Sequence, residues 1–199
     1  MKKNKLDDQT ADEQELNEKK ISSNHVFDGT LLQVYVDEVR LPDQSTSTRD
    51  WIKHPGASAV VPIFEDGTIM LVKQFRYPPR RIFIEVPAGK IDEGDTPYIT
   101  AVRELEEESG LTCKHMEQVG SLFPAIGYAD EEIFVYAGWG IDEIGKQTDD
   151  DEFLINYRVS FAEALKMIES GDIKDGKTIC ALTQTYFWWK KNEPFPIKF

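Results

Sequence analysis

Residues 89–111 read GKIDEGDTPYITAVRELEEESGL, and the second half of this stretch decides the first element of the fold. Thr96 caps a helix N-terminus, Pro97 suits its first turn, and Gly110 suits the left-handed residue that ends it. The spacing therefore predicts a helix over Pro97–Ser109. On a wheel of about 100° per residue, Tyr98, Ala101, Val102 and Leu105 share one arc, read as the core-facing side. Glu104, Glu107 and Glu108 share another, being related by i, i+3 and i+4. Glu106 points away from them and reads as a solvated acid. Three carboxylates on one turn raise each other's pKa unless something positive joins them. Arg103 offsets one charge. A hard divalent cation offsets the rest, and oxygen-only ligands favour Mg2+ or Mn2+ over zinc.

Working outward, VVPIFEDGTIMLVKQF (residues 60–75) is a hairpin signal, with Asp66-Gly67 as the turn between two apolar runs. Arg81–Val86, Ile133–Ala137 and Ile155–Val159 read as further strands. Ser160-Phe161-Ala162-Glu163 is a capping box opening a helix that Gly171 closes, and a last helix runs from Gly176 to Lys191. Strands and helices mix without a regular βαβ alternation, which favours α+β. Upstream, residues 1–24 contain no aromatic side chain and read as a mobile tail. From His25 the pattern is β-like, with LLQVYVDEV (residues 31–39) as a strand, and the polar DQSTSTRD (residues 43–50) reads as a separator. The expected organisation is a tail over 1–24, an N-terminal β lobe over 25–57 and a main domain over 58–199.

The chain has 199 residues and a net charge of −13, unevenly placed. Residues 89–111 carry net −5 and residues 130–152 net −8, while residues 70–88, with Lys73, Arg76, Arg80, Arg81 and Glu85, carry net +3. An acidic balance argues against a protein that coats nucleic acid or adheres to an anionic membrane, since both need clustered Lys and Arg. The first residues lack an apolar signal-like segment, and no run of 18 apolar residues occurs. Cys113 and Cys180 form no disulfide framework and no thiolate metal set, so a reducing cytoplasm is expected. The three histidines have no metal-ligand spacing, and no nucleophile elbow or complete dinucleotide-binding glycine loop occurs.

Gly89, then Asp95, then Arg103-Glu104-Leu105-Glu106-Glu107-Glu108-Ser109-Gly110-Leu111 resembles the Nudix box of the Nudix hydrolases. VKQFRYP, IEVPAGKID, DDDEFL and the closing helix pair extend the resemblance from about residue 26 to residue 190. They point to the branch acting on ADP-ribose and other nucleoside diphosphate sugars. The resemblance implies a Nudix fold, a mixed β-sheet flanked by helices in an α/β/α sandwich, with a small N-terminal β lobe that dimerises. It implies a Mg2+-dependent pyrophosphatase, Mn2+ being an alternative, and a homodimer.

By the same resemblance Glu104 and Glu108 are the main metal ligands, Glu107 helps, and the Ala88 carbonyl completes the shell. Glu152 would be the base for the attacking water, with Glu107 and Arg103 in the catalytic machinery. Arg76 would bind phosphate, Glu85 would join the metal or substrate network, and Trp51 with Arg49 would form a platform for the base. Each has a plainer reading: a surface salt bridge for Arg76, a structural strand acid for Glu85, packing for Trp51, and a solvated turn for the run holding Glu152. Two positions depart from the family pattern. Asp95 stands where it has Glu, and is expected to pair with Arg103, while Ile126 replaces a proline and leaves nucleotide sugars besides ADP-ribose open. The competing functions are hydrolysis of nucleoside triphosphates or dinucleoside polyphosphates, and a non-catalytic binding module.

Overall fold

The computed structural model describes residues 15–145 and 153–197, which divide into two compact units. The smaller comprises residues 15–54 and Ala125–Asp130. Its strands β1 (Lys19–Asp28), β2 (Gln33–Arg40) and β3 (Thr46–Lys53) form an antiparallel sheet in that order. Residues 19–24, expected as tail, are therefore strand, and so is most of the polar stretch expected as a separator. Backbone pairing is indifferent to side-chain polarity. All ten β1 side chains are exposed, so hydrophobic patterning carried no signal there. The segment Ala125–Asp130 fastens to the end of β3. The Ile52 N–H donates to the Tyr128 carbonyl at 2.8 Å, and the Asp130 carboxylate accepts the His54 N–H at 2.7 Å.

The larger unit holds β4 (Ala57–Ile63), β5 (Thr68–Arg76), β6 (Arg81–Glu85), β7 (Ala88–Lys90), α1 (Pro97–Ser109), β8 (Leu111–Leu122), β9 (Ile133–Glu143), β10 (Leu154–Ser160), α2 (Phe161–Ser170) and α3 (Gly176–Asn192). The strands form one mixed sheet, ordered β10-β5-β4-β9-β8, with β6 on β5 and β7 on β4; β4 and β9 run parallel. The strictly alternating pleat of β4 feeds two cores. Ala59, Val61 and Ile63 pack with Phe161, Ala164, Leu182 and Trp189 of α2 and α3, whereas Val60 packs with Ala101 and Leu105 of α1. The sheet is thus flanked by helices on both faces, the α+β arrangement that the element pattern suggested.

α1 has the predicted limits, with Thr96 accepting the Ile99 N–H and Gly110 in the left-handed conformation at φ 71°. Its buried arc differs from the wheel. Thr100, Ala101, Glu104, Leu105, Glu108 and Ser109 are buried, while Tyr98 is half-exposed, set edge-on to Tyr136 at 6.1 Å. The helix is turned so that two glutamates, not Tyr98, face inward. β8 had no counterpart in the sequence reading, because this strand at the sheet's edge is rich in polar residues such as Lys114, His115, Glu117 and Gln118. Among the described residues no helix is long and apolar enough to cross a membrane.

Candidate active site

The site forms where the chain changes strand partners. β6 pairs with β5 and β7 with β4, so Val86 and Pro87 cross between two ladders and need other partners for their backbone. Beyond the crossing, Gly89 lies under α1. A Cβ there would stand 2.0 Å from Glu104 Oε1 and 2.2 Å from its Cδ, so the glycine vacates the space that the Glu104 carboxylate fills. Beside it, Glu108 Oε2 accepts the Ala88 N–H at 3.0 Å. Glu104 and Glu108 are 7% and 3% exposed, which is unusual for acidic side chains.

Arg103 stands over the helix carboxylates. Its Nη1 donates to Glu104 Oε1 at 2.8 Å and to Glu107 Oε2 at 3.1 Å, and its Nη2 donates to the Lys90 carbonyl at 3.2 Å. Burial works against its charge, and the Glu104, Glu107 and Asp92 carboxylates outweigh burial and hold the guanidinium protonated above its ordinary range. The expected Asp95 pair is loose, 3.9 Å from Nε, whereas Asp92 reaches Nη2 at 3.1 Å. The missing methylene of Asp95 accounts for the gap, and Nε has no hydrogen-bond partner.

Arg76 and Glu85 pair directly, the guanidinium gripping the buried carboxylate with two hydrogen bonds of 2.8 and 2.7 Å. This is the fork geometry in which Arg outperforms Lys. Lys177, at the start of α3, donates to Glu85 Oε2 at 3.2 Å and to the Val86 carbonyl at 3.4 Å, and lies 3.2 Å from Asp175. Burial alone would raise the Glu85 carboxyl; the Arg76 bonds and the Lys177 and Arg76 charges outweigh it and hold it below the usual carboxylate value. Arg76, Phe83, Glu85, Pro124, Glu131 and Lys177 line a cleft of about 490 Å³. Arg76 also feels the charge of Glu108, which ties this cleft to the α1 carboxylates. Lys177 and Asp175 were missed by the sequence reading. The signal available was an Asp before the Gly176 helix start, a capping residue, but its neighbours in space lie some 90 positions away (|i−j| = 92 for Lys177 and Glu85).

The residues suit a hard divalent cation. Glu85, Asp92, Glu104, Glu107, Glu108 and Asp175 stand with Arg76, Arg103 and Lys177 in this network, so acidic oxygen donors outnumber the cations. Among the described residues no three acidic, His or Cys side chains are already converged on one point. On α1, the carboxylates of both Glu104 and Glu107 are turned to Arg103. Glu104 and Glu108 are the two buried acidic side chains of α1, with Glu108 Oε2 on the Ala88 N–H.

Trp51 and Arg49 belong to the smaller unit. Trp51 ends a cross-strand ladder of rings, stacked on Tyr35 at 5.1 Å, with His25 on the other side of Tyr35 at 4.5 Å. Arg49 is paired with Glu18. Ile126, in the same unit, is 83% exposed. Glu152 lies outside the described residues.

One consequence is testable directly. Arg76→Ala leaves the buried Glu85 with Lys177 alone, and is expected to cost about 1–3 kcal/mol in urea unfolding at pH 7. Because the folded Glu85 carboxyl lies below its ordinary value, its stabilisation is present above that value and is lost as pH falls through the folded one. The gap between wild type and R76A should therefore narrow below about pH 4; a gap that persists there would assign the loss to packing.

A mixed sheet between helices is a fold that this chain shares with a solved structure. A structure described as the crystal structure of ADP compounds hydrolase superposes with a TM-score of 0.79 at 18% identity, covering 90% of this chain and 97% of that one. The NUDIX domain model matches residues 53–182, and the chain belongs to that family of Nudix hydrolases. It is 40% identical over 169 residues to the ADP-ribose pyrophosphatase of Bacillus subtilis (strain 168), covering 84% of this chain and 91% of that protein. It is also 40% identical over 167 residues to the methanol dehydrogenase activator of Bacillus methanolicus, covering 83% and 90%.

Proposed function

We propose that this enzyme hydrolyses the pyrophosphate of ADP-ribose, or of a related nucleoside diphosphate sugar, to a nucleoside monophosphate and a sugar phosphate with Mg2+ as cofactor. The observation that carries the reading is the short crossing that joins Glu85, held by Arg76 and Lys177, to the Ala88 N–H held by buried Glu108. The identity to an ADP-ribose pyrophosphatase supports the substrate class. Glu104, Glu108 and the Ala88 carbonyl would hold Mg2+, or Mn2+ in its place, which when bound offsets the charge of the pyrophosphate oxygens.

The protein's own groups do the rest. Arg76, fixed by Glu85, presents cationic N–H groups to a phosphate, and Lys177 adds a second cation to the same wall. Arg103 restrains Glu104 and Glu107 so that their mutual repulsion does not splay the site. Glu152 takes the proton of the attacking water as its oxygen bonds to phosphorus and the bridging P–O bond breaks. The Trp51 ring, held by Tyr35, offers a flat face for the nucleobase.

A cytoplasmic homodimer completes the reading. The three-stranded sheet buries Val39 and Asp37 while β1 exposes Ile21, Val26 and Phe27 and the turn after it exposes Leu31 and Leu32, and such a sheet needs an apolar cover that a second copy supplies.

The test is a panel of ADP-ribose, ADP-glucose, GDP-mannose and ATP with Mg2+, run on wild type and Glu108→Gln, with the mass of the same preparation measured by sedimentation equilibrium. Expected are turnover of a nucleotide sugar, loss of at least about a hundredfold in the variant, and twice the 22.8 kDa chain mass. Turnover of ATP alone would refute the substrate class, equal turnover by the two proteins would refute the metal site, and a monomer would refute the dimer.

A further inference from the structure

Between the two ladders, the backbone of the crossing from Glu85 to Ala88 has four anchors, three of them from helices and one from β4. The Val86 N–H donates to Thr178 Oγ1 at 3.0 Å, the Val86 carbonyl accepts from Lys177, the Pro87 carbonyl accepts the Val60 N–H at 2.9 Å, and the Ala88 N–H goes to Glu108. Two of these four anchors come from the first turn of α3. Thr178 is fully buried, and its hydroxyl, having accepted from Val86, donates to Asp175 Oδ2 at 2.6 Å. Asp175 in turn accepts the Thr178 N–H at 2.9 Å as the helix cap and lies 3.2 Å from the Lys177 ammonium. The hydrogen-bond directions are thereby fixed: one hydroxyl, one donor in, one proton out.

We propose that Thr178 and Asp175 are positioning residues: acting through the Val86 N–H and the Lys177 ammonium, they hold the Glu85–Ala88 crossing in place. The Ala88 carbonyl and the Arg76–Glu85 pair are thereby kept aligned with Glu108. Neither residue needs to touch the substrate. A crossing of four residues that belongs to no single ladder has little stiffness of its own, and a shift of even 1 Å at a reacting centre is costly. The inference rests on the roles given above to Ala88 and Arg76.

The test uses the full-length enzyme with Thr178→Val, which keeps the shape and removes the hydroxyl, and Thr178→Ser, which restores it. Mn2+ affinity is measured by EPR titration without substrate, alongside kcat and KM. Expected for T178V is a loss of about tenfold in Mn2+ affinity and a similar fall in kcat/KM, carried mainly by kcat, while T178S stays within about twofold of wild type. Unchanged Mn2+ affinity in T178V overturns the proposal whatever happens to its melting temperature, and T178S as weak as T178V overturns it too. If T178V does not fold, Asp175→Asn, which keeps a side-chain cap, is judged by the same two readouts. The titration needs no substrate, so a wild-type enzyme inactive on every nucleotide sugar would refute the proposed function and leave this test standing.

Discussion

Gly89→Ala is expected to lower turnover by about a hundredfold while leaving the protein folded. The added methyl would sit 2.0 Å from Glu104 Oε1 and 2.5 Å from Oε2, closer than any non-bonded contact allows. What it meets is the end of a flexible side chain, so relief comes from swinging the Glu104 carboxylate away rather than from moving backbone. That motion removes a buried oxygen donor from the proposed metal site and breaks its 2.8 Å bond to Arg103. Circular dichroism and a thermal midpoint close to wild type, together with weakened Mn2+ binding and low kcat, would confirm the account. Wild-type turnover by G89A would show that the Glu104 position is immaterial to the chemistry.

The second large effect concerns Glu152→Gln, for which a fall in kcat of about 10²–10⁴-fold is expected with KM little changed. The charge pattern motivates it: Asp149, Asp150, Asp151 and Glu152 form an acidic run, and among them Glu152 is the residue that the family resemblance makes the base. A glutamine keeps the shape and the hydrogen-bonding capacity but cannot take a proton. The acid limb of the pH–rate profile should vanish with it. If E152Q retained wild-type kcat while Asp151→Asn lost it, the base would be Asp151, and if neither changed, the run would be only a solvated turn.

The helix that carries the candidate site was legible in the sequence, while its orientation and several strands were not. The limits of α1 came from Thr96, Pro97 and Gly110, whose preferences are local. The wheel grouped Glu104, Glu107 and Glu108, yet it misplaced Tyr98, because a helix's rotation about its axis is set by what packs on it, here Val60 and Tyr136. β1 and β8 escaped notice because their side chains are largely polar or exposed, so their pairing leaves no apolar period to detect. Asp95 shows the opposite limit: the sequence revealed the shortened acid, and only distances showed that Asp92 is the closer partner of Arg103.

By itself, the sequence determined the limits of α1 and the grouping of its acids: Thr96, Pro97 and Gly110 bound the helix, and a 3.6-residue period brings Glu104, Glu107 and Glu108 together after a glycine loop. Tertiary structure alone decided which of those carboxylates are buried, that Arg76 is locked to Glu85, and that Lys177 and Thr178 reach back across 92 positions to Glu85 and Val86. The physical reason is range. Helix periodicity and capping depend on neighbours a few residues away, whereas a buried ion pair or a backbone N–H satisfied by a distant hydroxyl depends on sheet register and helix docking, which only the folded chain supplies.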